Sequence, residues 1–128
     1  MVGEARRIEW SLFNGGMMQL MLDGYCTETF DRARAHAAVL ELARRIDMTP
    51  VGDFVWTECD LGPSFVQIIE ESHIIGHYWN QEGRPPYLGM EIFSCKPFKP
   101  ITAQNTIVEL FGIWEVRFRN LSDRGFPV

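Results

Sequence analysis

The sequence predicts an α+β domain: an antiparallel-rich sheet with two helices on one face, in the order β-α-β-β-β-α-β. Three observations predict it. Apolar residues recur at helical spacing from Phe30 to Ile46. The runs 53–58 and 65–70 flank a turn at Asp60-Leu61-Gly62-Pro63, as an antiparallel pair would. The last run alternates, with Trp114, Val116 and Phe118 assigned to one face and Glu115, Arg117 and Arg119 to the other.

Taken in order, residues 1–16 read as an appendage ending at Gly15-Gly16, with Ile8, Trp10, Leu12 and Phe13 able to pack onto a single domain, 17–128. Residues 17–23 form a strand closed by Gly24, with Met17, Met18 and Met21 in the core. Thr27 caps the first helix, Glu28 and Asp31 suit its positive end, and Phe30, Ala33, Ala37, Leu40, Ala43 and Ile46 form its apolar stripe. His36 falls near that stripe as a half-buried packing residue. After the strand pair, the loop 80–86 precedes a strand over 88–95. A second helix starts at a Thr102 cap, runs through Ile107, Leu110 and Phe111, and stops at Gly112. One face of such a sheet still needs a cover, and a second subunit is a common one.

Composition limits the function classes. With 128 residues and 46% of them hydrophobic, the chain supports one real core. A net charge of −5 and the lack of any Lys/Arg cluster argue against nucleic acid. The N-terminus lacks the apolar run of a signal peptide, and no stretch is long enough to span a bilayer. Cys26, Cys59 and Cys95 are odd in number and lack metal-ligand spacing, so the expectation is a cytoplasmic protein with free thiols and no metal. Cys26 and Cys59 read as small buried thiols.

The stretch with the most chemistry is Glu70-Glu71-Ser72-His73-Ile74-Ile75-Gly76-His77-Tyr78-Trp79, which holds two of the three histidines. No Gly-x-Ser-x-Gly elbow supports a serine hydrolase. A Cys95–His77 nucleophilic pair remains open by residue type alone. His73 and His77 share a face but have no obvious third metal ligand.

The order Glu71-Ser72-His73, His77 and Trp79, then Phe93-Ser94-Cys95, resembles the prokaryotic S-adenosylmethionine decarboxylases, pyruvoyl enzymes of polyamine (spermidine) synthesis. The resemblance covers most of residues 17–119 and includes Gly62-Pro63-Ser64 as the family's Gly-x-Ser turn. It implies a decarboxylase-like fold and a homodimer or higher homo-oligomer acting on a small amino-acid-type substrate. It also implies that Ser72 attacks the carbonyl of Glu71, cuts the chain and leaves a pyruvoyl cofactor that forms a Schiff base with the substrate. His77 corresponds to the processing base and Ser64 to a processing serine. Cys95 corresponds to the catalytic proton donor, a role open to a thiol that carries its proton. His73 reads as structural.

Trp79 is expected to face the substrate. Gln81 stands where the family carries an acid, and Glu82 follows one residue later as its substitute. Arg84-Pro85-Pro86 lengthens the interval from Ser72 to Cys95, and Lys96 replaces a glycine. These departures keep two other readings in play: the same mechanism acting on arginine or ornithine, and a non-processing homologue serving as a binding or regulatory subunit.

Overall fold

The computed structural model describes residues 3–5 and 17–121. Most of the expected appendage, including Ile8, Trp10, Leu12 and Phe13, therefore lies outside the described residues. The elements are β1 (Met18–Cys26), α1 (Arg32–Arg45), β2 (Val55–Thr57), β3 (Ser64–Ile69), β4 (Ser72–Trp79), β5 (Tyr87–Ser94), α2 (Pro100–Phe111) and β6 (Ile113–Asn120). They form one six-stranded sheet in the order β2-β3-β4-β5-β1-β6, with every neighbouring pair antiparallel. The α+β class and the two helices agree with expectation. The sheet has one strand more than expected, because Ser72–Trp79 forms a strand of its own.

Burial divides the sheet faces. Leu20 and Leu22 of β1, Phe65 and Ile69 of β3, Ile74 and Tyr78 of β4, and Leu88 and Ile92 of β5 pack into one core with both helices. Phe30, Phe65, Tyr78 and Phe111 form an aromatic layer within it. That layer moves the start of α1. Phe30 is drawn inward, so the cap is Asp31, whose carboxylate accepts from the Arg34 amide at 2.8 Å, and not Thr27. The buried stripe is also rotated from the expected one. Ala35, Ala38, Val39, Leu42 and Ala43 face inward, while Ala33, Ala37 and Leu40 are exposed. An alanine-rich helix carries little phase information, and the bulkier Val39 and Leu42 decide which side is buried. His36 is half-buried and stacks on Phe54.

α2 begins before Thr102, because Pro100 suits the first helical turn and Lys99 takes the cap position. Gly112 ends it in the left-handed conformation with φ 64°, as expected. Gly24 does not close β1. The strand runs on to Cys26, and Gly24 is required because a Cβ there would lie 2.1 Å from the Glu115 carbonyl oxygen. A register shift beside Tyr25 and Cys26 breaks the alternation expected for β6. Val116 and Phe118 lie opposite Gly24 and Leu22, whereas Trp114 stacks on Tyr25. Cys59 is exposed, contrary to expectation, and only Cys26 is a buried thiol, its pKa pushed up to about 11 by burial.

The sheet face away from the helices has no cover among the described residues. It presents Met21, Tyr25, Val55, Ile68 and Trp79 to solvent, which removes Met21 from the core where it was expected. No helix among the described residues is long and apolar enough to cross a membrane. Gly76 of β4 is pinned by the core, since a Cβ there would sit 2.2 Å from the Phe65 ring. Gly76→Ala is expected to destabilise the protein by about 1–3 kcal/mol, measured as a lower urea midpoint with unchanged slope.

Candidate active site

The open face carries four rows of cross-strand neighbours. One row runs Ile68, His73, Phe93 and Gln19, and the next Val66, Ile75, Glu91, Met21 and Arg119. A third runs Ser64, His77, Gly89, Asp23 and Arg117, and a fourth Trp79, Tyr87, Tyr25 and Glu115. Ser72 lies just beyond the first row. The candidate residues therefore fall into two groups at opposite ends of β4.

The first group surrounds the Glu71–Ser72 peptide. Ile69 pairs with Ser72, so β3 and β4 are joined by a two-residue turn, Glu70-Glu71. Such turns match the sheet twist best when a central residue has positive φ. Among the described non-glycine residues only Asp47 and Ser72 have positive φ, so neither glutamate supplies it. The mismatch falls on Ser72, whose φ of 156° is rarely adopted by an L residue. Conformations of this kind cost on the order of 1–3 kcal/mol and persist only where surrounding contacts enforce them.

Those contacts are present. The Cys95 amide donates to the Glu71 carbonyl oxygen at 3.0 Å. The Thr49 amide donates to the Glu71 carboxylate at 3.0 Å, and the Glu70 amide donates to the Thr49 carbonyl at 2.8 Å. Ser72 also pairs with Ser94 of β5. Glu71, Ser72 and Cys95 are thus brought together, with the Cys95 side chain exposed. The Ser72 hydroxyl lies 3.3 Å from His73 Nδ1, and His73 Nε2 lies 3.0 Å from Glu91 Oε1.

Ser64 and His77 form the second group. Ser64 Oγ is 2.6 Å from His77 Nδ1, and the His77 ring meets Trp79 edge-on at 4.4 Å. These residues are not beside Ser72. β4 is continuous between Ser72 and His77, and five strand residues span about 16 Å. Between the two groups lies a shallow hollow of about 350 Å³ with Gly89 in its lining, flanked by Ser64 and His77 and by Met21 and Glu91. A second hollow, about 170 Å³, is lined by Tyr25, Trp79, Gln81, Arg84, Pro85 and Tyr87. Gln81 and Trp79 border it, whereas Glu82 is exposed and outside both linings. Alongside, Asp23 accepts from Tyr87 and Arg117. Burial pushes its carboxyl up, but these two partners hold it below the usual range.

Lys96 does not place a cation in the site. Its ammonium donates to the Asp47 carbonyl and carboxylate at 2.7 and 2.9 Å, toward the exit of α1. Among the described residues no three His, Cys, Asp or Glu side chains gather to hold a metal ion.

The S-adenosylmethionine decarboxylase family model matches residues 18–125. The chain belongs to that family. A structural relative is the crystal structure of the adenosylmethionine decarboxylase from Aquifex aeolicus. It aligns with a TM-score of 0.66 at 16% identity, covering 83% of this chain and 88% of that one, a likeness of fold. No curated protein matches the chain. The family match spans both groups of site residues, from β1 to beyond β6.

Site residues that sequence reasoning missed are Glu91, Gln19, Thr49, Tyr25 and Tyr87. Each reaches the site across strands or through a loop, and local spacing carries no signal for such contacts.

Proposed function

We propose that this chain is the precursor of a pyruvoyl-dependent S-adenosylmethionine decarboxylase of polyamine synthesis, which cuts itself between Glu71 and Ser72. The observation that carries this reading is the hydrogen bond from the Cys95 amide to the Glu71 carbonyl, beside a serine held at φ 156°. A carbonyl with a fixed donor on its oxygen is polarised for attack, and the negative charge formed on attack is stabilised where it develops. Attack by Ser72 Oγ replaces the amide with an ester. Loss of the Ser72 α-proton then releases the Glu71 carboxylate, and hydrolysis of the remaining dehydroalanine leaves the pyruvoyl group with loss of ammonia. The structure fits that group: Ser72 begins a strand, and Cys95 lies across from the scissile peptide.

A pyruvoyl group supplies an electron sink for decarboxylation. The thiol of Cys95 is the proton donor, and the aromatic side chains of Trp79, Tyr87 and Tyr25 offer faces for a sulfonium or an adenine. Gln81 borders the same hollow and takes the place of the expected acid. The turned-away Lys96 leaves a cationic substrate unopposed at that position.

The separation of His77 from Ser72 bears on assembly. If His77 removes the Ser72 α-proton, it must come from another copy of the chain. A two-fold axis parallel to the open face, crossing β4 between the two groups, lays the Ser64–His77 end of one sheet over the Ser72–Cys95 end of its partner. Such an isologous dimer also covers the exposed Met21, Ile68 and Trp79. The hypothesis is therefore a homodimer whose sites are shared.

CO₂ release from S-adenosylmethionine is expected from the wild-type protein and is expected to fall to background in Ser72→Ala, which stays whole. Release from arginine or ornithine instead would reassign the substrate, and release from none would favour a binding or regulatory role. Cys95→Ala keeps its backbone N–H, so it is expected to cleave itself yet decarboxylate about 10²-fold more slowly with little change in substrate binding. Equal losses of binding and turnover would remove the proton-donor role. Co-expression of Ser72→Ala and His77→Ala chains is expected to restore cleavage of the His77→Ala chain alone. No restored cleavage in verified mixed dimers would contradict the shared site.

A further inference from the structure

We propose that His73, oriented by Glu91, is the base that starts cleavage of its own chain, a step distinct from the one assigned to His77. This rests on the self-cleavage reading above and adds to it the residue that activates Ser72.

Successive strand residues point to opposite faces, so a serine and the histidine after it normally diverge. Here the unusual backbone of Ser72 accompanies a hydroxyl 3.3 Å from His73 Nδ1. The other ring nitrogen, Nε2, lies 3.0 Å from Glu91 Oε1. An ionised carboxylate only accepts, so this contact places the imidazole proton on Nε2 and leaves the Nδ1 lone pair facing the serine. Glu91 is fixed in turn by Gln19, whose Nε2 donates to Oε2 at 3.3 Å, and the imidazole lies nearly parallel to the Phe93 ring. Nucleophile, base and orienting acid thus stand in sequence, with the donor for the oxyanion supplied separately by the Cys95 amide. His77 is engaged with Ser64 about 16 Å along the strand.

The step balances without any co-reactant. His73 Nδ1 takes the Ser72 hydroxyl proton as Oγ bonds to the Glu71 carbonyl carbon. The oxygen held by the Cys95 amide carries the negative charge. The bond from that carbon to the Ser72 nitrogen then breaks, and the nitrogen takes the proton from Nδ1. The result is an ester isomer of the precursor. The 3.3 Å contact is long for a hydrogen bond between these atoms and needs to shorten as reaction begins. Glu91 touches no reacting atom and is a positioning residue.

Hydroxylamine cuts esters and spares amides, so it reads this first step directly. In full-length His77→Ala, where elimination is blocked, hydroxylamine is expected to cut between residues 71 and 72. Adding His73→Ala is expected to slow that cut at least about tenfold, with recovery on adding free imidazole. In the same His77→Ala background, Glu91→Gln should slow the cut and Glu91→Asp should retain more of it. An equal rate with and without His73 overturns the proposal. If wild-type protein splits but His77→Ala is never cut by hydroxylamine, His77 forms the ester and the division of labour is wrong. If wild-type protein does not split at all, self-cleavage itself fails and takes this proposal with it. A readout independent of cleavage is nitrogen NMR of His73 in Ser72→Ala, where the proton is expected on Nε2. A proton on Nδ1 contradicts the assignment.

Discussion

The Cys95 amide and the Glu71 carbonyl form the hydrogen bond on which the site depends. Its net contribution to stability is about 1 kcal/mol, no more than any other backbone bond. Its importance is positional. It ties the end of β5 to the turn between β3 and β4, while Thr49 grips the same glutamate by its carboxylate. Held from both sides, the two-glutamate turn cannot relax by shifting register, and the twist it fails to supply appears in Ser72. In the proposed cleavage, a bond that is ordinary in energy thereby aligns a nucleophile, a polarised carbonyl and a base. In the proposed sequence of reactions the same cysteine contributes its amide to the cleavage and its thiol to the later step, so one position just past β5 serves both stages.

The second constraint is the length of β4. A continuous strand holds Ser72 and His77 at opposite ends, and no side-chain rotation closes a gap of about 16 Å. For the proposed cleavage, the sheet of one chain therefore offers two half-sites, one for attack on the peptide and one built on Ser64, His77 and the aromatic row. The open apolar face and the two half-sites share one solution in the proposed homodimer, a second copy laid across the sheet. Assembly and chemistry are coupled in this account, because a chain without a partner has its nucleophile but lacks the residues proposed to complete the reaction.

Parts of this were legible in the sequence. Gly112 as a helix stop, the two helices and the pairing across Gly62-Pro63 follow from local chemistry, and the structure agrees. The grouping of Glu71, Ser72 and Cys95 was also legible, through the resemblance and not through spacing. β4 was hidden as a separate strand because its turn has no glycine or asparagine and because Ile74, Ile75 and Gly76 blur the alternation. The phase of α1 is not legible because alanines sit on both sides of the helix. The contact of His73 with Glu91, eighteen positions away, is not legible, since nothing near His73 in sequence marks that partner. The second half-site looked contiguous with Ser72 in sequence because five residues are few along the chain. In an extended strand the same five residues span much of the sheet.

The measurement that tests the central claim most directly is the intact mass of freshly purified wild-type protein under denaturing conditions. Self-cleavage predicts two chains, one ending at Glu71 and one beginning at the former Ser72 with a blocked, keto-bearing terminus. A single species at the full 14.8 kDa, persisting on incubation, would contradict the account.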